Sequence, residues 1–239
     1  MFGITRPAQS TTTYNGSWRW VRAELVQPET CRSFMFAKTQ VRIVAGTLRG
    51  RKLSVVVYEG MRPTPQSVRE AFFSILGNAL PDRVFFDVFA GTGVFGLEAV
   101  SRGASSARLI ETDTRQVRDI QKYAQEFGVS DRVQVLRADA YRWAERWIPG
   151  KEPVNVFLSP PFQDLTEKYE EFLALVRILL EKAPNESVLT IQAEQGFPTE
   201  QLPDLAAWDI RAYGRNLLLF RVKGDQVAQP THEAHEPTE

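Results

Sequence analysis

Little in this sequence suits the commonest catalytic chemistries. Among 239 residues there is one cysteine, Cys31, and only two histidines, His232 and His235, both in the last eight positions. A single cysteine excludes an internal disulfide, a CxxC redox pair, a cysteine-rich zinc site and an iron–sulfur motif. It fits a reducing, cytoplasmic setting. A Ser-His-Asp or Cys-His enzyme needs a histidine inside its core, so that class is excluded by counting. The two tail histidines read as solvated residues, and no metal is expected. Net charge is also absent, with 29 Lys+Arg against 29 Asp+Glu. The longest apolar runs are strand-sized, so no membrane-spanning helix is expected.

What is present is an ordinary globular composition, 43% hydrophobic, enough for a sizeable core. Four regions are expected. Residues 1–40 carry a Ser/Thr cluster and no sustained period, and read as a disordered extension, with Met35 as an alternative start. Residues 41–80 read as a basic hairpin and helix. Residues 81–223 read as a ligand-binding α/β core, and residues 224–239 as a disordered acidic tail.

The neutral total hides a basic lobe. Between Lys38 and Arg69 seven basic residues face one acid, Glu59. Within it, residues 41–44 and 53–57 read as strands, with Gly46 and Gly50 in the turn between them. Arg42, Arg49, Arg51, Lys52 and Arg62, with Thr64, are the candidate contacts to a polyanion. Thr64-Pro65 opens a helix whose Val68, Ala71, Phe72, Ile75 and Leu76 share one face, with Gly77 as its stop.

From residue 83 strands and helices alternate. Strands are expected at 83–89, 107–111, 133–137, 154–158 and 187–193, and helices at 94–102, 114–127 and 166–182. A closing hairpin is expected at 208–213 and 216–222, across Gly214-Arg215. Repeated β-α units predict a Rossmann-like, mostly parallel sheet covered on both faces, with an antiparallel C-terminal edge.

Two motifs carry chemistry. The first is Asp87-Val88-Phe89-Ala90-Gly91-Thr92-Gly93-Val94-Phe95-Gly96, a G-x-G-x-x-G that follows a strand and opens a helix. Its glycines allow a tight turn and close backbone approach to a ligand. Glu111 stands twenty residues after Gly91, where a carboxylate can hold both hydroxyls of a ribose. A nicotinamide dinucleotide and S-adenosylmethionine both fit so far. Asp87, placed to fix the loop and face a cationic methionine moiety, favours the second. So does Asp139 in Ala138-Asp139-Ala140, placed to accept from an adenine amine.

The second motif, Ser159-Pro160-Pro161-Phe162, directly follows an apolar strand. Adjacent prolines force a rigid turn at the carboxyl end of that strand, the ligand-binding edge of an open α/β sheet. An exocyclic amine on a base is a poor nucleophile, because its lone pair is delocalised into the ring. A serine oxygen and the Pro160 carbonyl can accept its two N–H bonds and stabilise developing positive charge. Pro161 stiffens the turn, and Phe162 can stack on the base. Proximity supplies much of the rate, and no histidine base is required.

Together the two motifs resemble the class I S-adenosylmethionine-dependent methyltransferases that modify amino groups of bases. Arg42-Ile43-Val44-Ala45-Gly46, Arg49-Gly50-Arg51-Lys52-Leu53, Arg62-Pro63-Thr64, Val68-Arg69-Glu70 and Gly96-Leu97-Glu98-Ala99 narrow the likeness to the RsmD family over about residues 41–222. That family methylates guanine N2 in bacterial small-subunit (16S) ribosomal RNA. The resemblance implies that Asp87 through Gly93 hold the methionine part, Glu111 the ribose, and Asp139 with Ala140 the adenine. It implies that Ser159 to Phe162 hold the base, and that the basic hairpin and Arg62-Pro63-Thr64 approach ribosomal RNA or the small subunit. A monomer is expected. One position departs: the family usually has Asp where Ser159 stands. Serine occurs there in related enzymes acting on cytosine N4. An amino-methyltransferase acting on adenine N6 or cytosine N4, and a catalytically silent RNA-binding assembly factor, are the competing readings.

Overall fold

The computed structural model describes residues 37–57 and 64–224. Arg62, both histidines and the expected extension up to residue 36 lie outside the described residues. The extension expected over residues 1–40 ends early, because Ala37–Arg42 form strand β1. It pairs antiparallel with β2 (Lys52–Val57), Ala37 opposite Val57 and Arg42 opposite Lys52.

The chain continues through α1 (Gln66–Leu76), β3 (Val84–Asp87), α2 (Val94–Ser101), β4 (Ser106–Glu111), α3 (Thr114–Glu126) and β5 (Val133–Arg137). Then come α4 (Ala140–Arg146), β6 (Val154–Leu158), α5 (Phe162–Glu167), α6 (Tyr169–Lys182), β7 (Val188–Glu194), β8 (Asp209–Tyr213) and β9 (Asn216–Val222). Besides β1 and β3, which end at Arg42 and Asp87 and not at the expected residues 44 and 89, two details differ from the sequence reading. A short helix, α4, fills the expected gap after β5. The helix expected over 166–182 is two helices meeting at Lys168, which leaves helical geometry with φ −122° and ψ 33°.

Seven strands form one sheet in the order β5-β4-β3-β6-β7-β9-β8. β3 through β7 are mutually parallel, while β9 runs antiparallel between β7 and β8. The order reverses between β3 and its two neighbours, so a crevice opens at their carboxyl ends. β6 is buried at all five positions, as a central strand covered on both faces must be.

Two apolar clusters fill the two faces. On one, Phe72 and Phe73 of α1, Phe95 of α2 and Ile120 of α3 meet Phe85, Leu109, Phe157 and Phe220 of the sheet. Phe95 and Phe157 stack with centroids 4.2 Å apart. On the other, Ala144, Leu173, Val176 and Leu179 cover Val154, Val156, Ile191 and Leu219. Each large side chain buried here contributes roughly 1.5–3 kcal/mol.

The basic hairpin is not a loose appendage. Ile43, Leu48, Leu53 and Val55 are buried in the first cluster. The Tyr123 hydroxyl accepts from the Ser54 amide at 2.8 Å and donates to the Ser54 carbonyl at 3.0 Å. At the turn, Gly46 has φ +81°, and a Cβ there would stand 1.7 Å from the Ser101 carbonyl oxygen. That contact lets the amides of Thr47 and Leu48 donate to Ser101, at 2.8 and 2.9 Å.

A buried ion network completes the attachment. Arg69 Nε of α1 meets Glu98 Oε2 of α2 at 2.7 Å, with both side chains at most 1% exposed. Arg69 also donates to the Arg42 carbonyl at 2.7 Å, and Arg102 donates twice to Glu98 Oε1. The hairpin's end, α1 and α2 are thus tied at one carboxylate. Arg69, counted within the basic lobe from its sequence, is therefore a core residue.

Candidate active site

The carboxyl ends of β3, β4, β6 and β7 surround a cavity of about 510 Å³. Both sequence motifs reach it, though Gly93 and Gly96 of the first are not among the lining residues. Val88, Phe89, Ala90, Gly91 and Thr92 form one wall, with Asp87 beneath them. Glu111, Asp139 and Ala140 line the same half, and Ser159, Pro160, Pro161 and Phe162 line the other. Phe95 and Phe157 supply an apolar floor.

The glycine loop is held by its neighbours. Ala90 donates to the Ile110 carbonyl at 3.0 Å, and Gly93 closes the turn onto Ala90 at 2.8 Å. Gly93 caps α2 with φ +71°, and a Cβ there would lie 2.6 Å from Ile120. Glu111 Oε2 accepts from the Gly91 amide at 2.7 Å, and Oε1 accepts from Asp113 at 2.8 Å. The Thr112 hydroxyl also donates to Oε1, at 3.3 Å, so the carboxylate keeps one acceptor site, on Oε2.

Asp87 is the anomaly of the site. It closes β3, is 1% exposed, and neither carboxylate oxygen has a hydrogen-bond partner. Burial pushes its pKa up to about 7. The nearby Gly96 amide opposes the rise without reaching hydrogen-bond geometry, and the charge of Glu111 adds to it. Buried polar groups are rarely left unmatched, and a cation placed here would satisfy this one.

Asp139 does more than end a strand. It is the N-cap of α4, where its Oδ1 accepts from the Arg142 amide at 3.0 Å. It is exposed, so it keeps acceptor capacity toward the cavity. The proline turn behaves similarly: Pro161 caps α5 and Phe162 is its first residue. Ser159 and Phe162 are half-buried, while Pro160 is buried.

The structure separates the candidate polyanion contacts. Arg42, Arg49, Arg51 and Lys52 are exposed on the hairpin, with Arg51 lying 5.6 Å over the Phe127 ring. Thr64 instead stands in the cavity wall, where its hydroxyl donates to Gln192 Oε1 at 3.0 Å.

Several lining residues lay beyond the sequence reading. Tyr141 of α4 donates to Asp164 of α5 at 2.8 Å and packs edge-on to Phe89. Burial and then Asp164 raise its pKa strongly. Lys168 closes this corner, 3.6 Å from Asp164. From the far side come Gln192 of β7, Asn216 of β9 and Arg215 from the β8–β9 turn. Polar residues in strands give no one-dimensional signal that they face a cavity. Among the described residues, no cluster of three or more His, Cys, Asp or Glu could hold a metal, and no helix is long and apolar enough to cross a membrane.

Comparison with known proteins agrees with this geometry. A family model described as Conserved hypothetical protein 95 matches residues 41–222. Ribosomal RNA small subunit methyltransferase D of Escherichia coli is 38% identical over 125 residues, 52% of this chain and 61% of that protein. The protein of the same name from Buchnera aphidicola is 30% identical over 57% of this chain and 71% of its own length. A solved Escherichia coli structure, yhhF, is 30% identical with a TM-score of 0.63, covering 77% of this chain and 99% of that one.

Proposed function

Because the chain belongs to the family described as Conserved hypothetical protein 95, the RsmD family of S-adenosylmethionine-dependent methyltransferases, we propose that it methylates the exocyclic N2 amine of a guanine in small-subunit ribosomal RNA. The observation that carries this reading is one cavity holding an unpartnered buried carboxylate, a glycine loop and a proline turn.

The residues fit the cofactor. Asp87 would supply the counter-charge for the cationic amino-acid portion, and the backbone at Gly91 and Thr92 admits close approach. Glu111 can take one ribose hydroxyl through Oε2, and a second in exchange for the Thr112 hydroxyl, and Asp139 with Ala140 the adenine. Bound there, S-adenosylmethionine supplies an electrophilic methyl group on a positively charged sulfur.

The chain's part is to hold the amine in line. Ser159 Oγ and the Pro160 carbonyl accept the two N–H bonds and draw the nitrogen toward tetrahedral geometry. Phe162 stacks on the base and fixes its plane. Held this way, the nitrogen lone pair would face the methyl group that the cofactor would supply from the half of the cavity lined by Asp87, Gly91 and Glu111. The methylated amine is then acidic enough to release its proton to water, so no histidine is needed. Guanine N2 is hidden in paired RNA, so the target base must be unpaired or turned out of its stack. The exposed hairpin arginines contact backbone phosphates, and binding therefore weakens with salt.

Ser159 favours a second reading, an amine acceptor on adenine N6 or cytosine N4. The test gives the protein labelled S-adenosylmethionine and unmodified small subunits, then identifies methylated nucleosides. N2-methylguanosine is the expected product. Another methylated base would move the substrate, and RNA binding without transfer would leave a silent assembly factor.

A further inference from the structure

The wall opposite the cofactor half carries a polar array for which the methyl-transfer chemistry has no use. Along β7 the odd positions Leu189, Ile191 and Ala193 face the α4–α6 side and are buried in its cluster. The even positions share the other face with Val188, and toward the cavity they become Gln192 and Glu194. On β9, Asn216 stands opposite Glu194, and Leu218 stands opposite Gln192. Asn216, Leu218 and Phe220 alternate along the strand, and the last two are buried in the first cluster. Gln192 and Asn216 thus share the face of the sheet on which α1 begins.

Their hydrogen bonds run in one direction. Thr64 Oγ1 donates to Gln192 Oε1 at 3.0 Å, and Gln192 Nε2 donates to Asn216 Oδ1 at 3.3 Å. With Gln192 Oε1 accepting from Thr64, and Nε2 already donating once, both amide planes are set. Among the described residues, the donors left over are the second N–H of Gln192 and the two N–H bonds of Asn216. All three residues line the cavity and are half-buried.

We propose that Gln192 and Asn216, oriented by Thr64, read the carbonyl-bearing edge of the target base by donating to guanine O6. This rests on the reading of the cavity as a base-amine methyltransferase site, and it assigns the selectivity of that site. The two halves of recognition are then complementary. Ser159 and Pro160 present acceptors to the amine, while Gln192 and Asn216 present donors to the oxo group. Donors on this wall match the oxo group of guanine and have no counterpart in 2-aminopurine, which keeps the 2-amine but lacks O6. Such an arrangement also lets a neutral Ser159 suffice beside the amine, because the base is located by its other edge.

The test uses the full chain and small-subunit RNA in two forms. One carries guanine at the nucleotide that the wild-type protein methylates, and the other carries 2-aminopurine there. Wild type should lose about 10- to 100-fold in kcat/KM on 2-aminopurine, the range expected for losing a good base-edge contact. Asn216→Asp, which replaces donors by acceptors, should lose a similar factor on guanine yet change little on 2-aminopurine. Gln192→Glu should behave likewise, with S-adenosylmethionine affinity unchanged in both variants. Equal losses on both RNAs would overturn the inference and leave Gln192 and Asn216 as scaffold. Failure of wild type to form any N2-methylguanosine would instead overturn the underlying reading, and the assignment with it.

Discussion

Asp87→Asn isolates the energetic consequence of the unpartnered carboxylate. The folded protein raises this group from an ordinary value of 3.8 to about 7, chiefly by burial. From about pH 4 the unfolded chain has released the proton, while the folded chain keeps it until about pH 7. In that window the folded state binds more protons, so the stability of the ligand-free protein falls as pH rises. The slope is about 1.4 kcal/mol per pH unit, and the total is on the order of 4 kcal/mol. Asparagine does not titrate, so this fall should vanish in the variant. Asp113, held down to about 2 by the hydrogen bond from Arg115, tilts both curves the other way and cancels in their difference. Urea unfolding of both ligand-free proteins from pH 4 to 8 is the assay. The difference curve should move by several kcal/mol in the variant's favour as pH rises. The variant should meanwhile lose S-adenosylmethionine affinity, because the counter-charge is gone. Parallel curves would refute the assignment of a costly buried charge to Asp87.

Three other substitutions have defined outcomes. Glu98→Gln removes the charge shared by Arg69 and Arg102, leaving Arg69 buried and unpaired; chemical unfolding should show a loss of about 3–5 kcal/mol. Gly46→Ala forces a methyl into the Ser101 carbonyl; the hairpin turn must lift off α2, seen as faster amide exchange at Thr47 and Leu48 and a lower Tm. Phe162→Ala should cost about 1–3 kcal/mol of base stacking, read as lower kcat/KM for RNA with cofactor affinity retained.

The sheet was legible in the sequence because its helices and strands bury residues at their own periods. Val117 and Ile120 in α3, and the continuous apolar run of β6, are such signals. α4 was not, because its buried residues are only Ala140 and Ala144, too small and few to mark a face. The break at Lys168 was also hidden, since Leu165 and Phe172 on either side are both buried and keep an apolar pattern running. Of the site, the strand-to-loop motifs stood out because prolines and glycines there have backbone reasons to be present. Gln192, Arg215 and Asn216 did not, because only pairing across β7 and β9 brings them to the cavity. Thr64 illustrates the same limit. Its neighbours in sequence are basic, while its partner in space is a strand residue 128 positions away.

The reversed direction of β9 has a consequence for how such a protein can change. A parallel strand offers a ligand crevice only its last residue and the connection that follows. β9 begins at the crevice, so the whole β8–β9 turn arrives there as a free-standing tip, pinned by the bonds from Gln195 to Gly214 and Arg215. Insertions at that tip would alter what the outer half of the crevice accepts while the strands that carry Asp87 and Glu111 stay in register. Under the proposed function, the tip of β8–β9 would bear on the acceptor while β3 and β4 hold the donor, so the outer edge of the acceptor side could change without disturbing the cofactor strands.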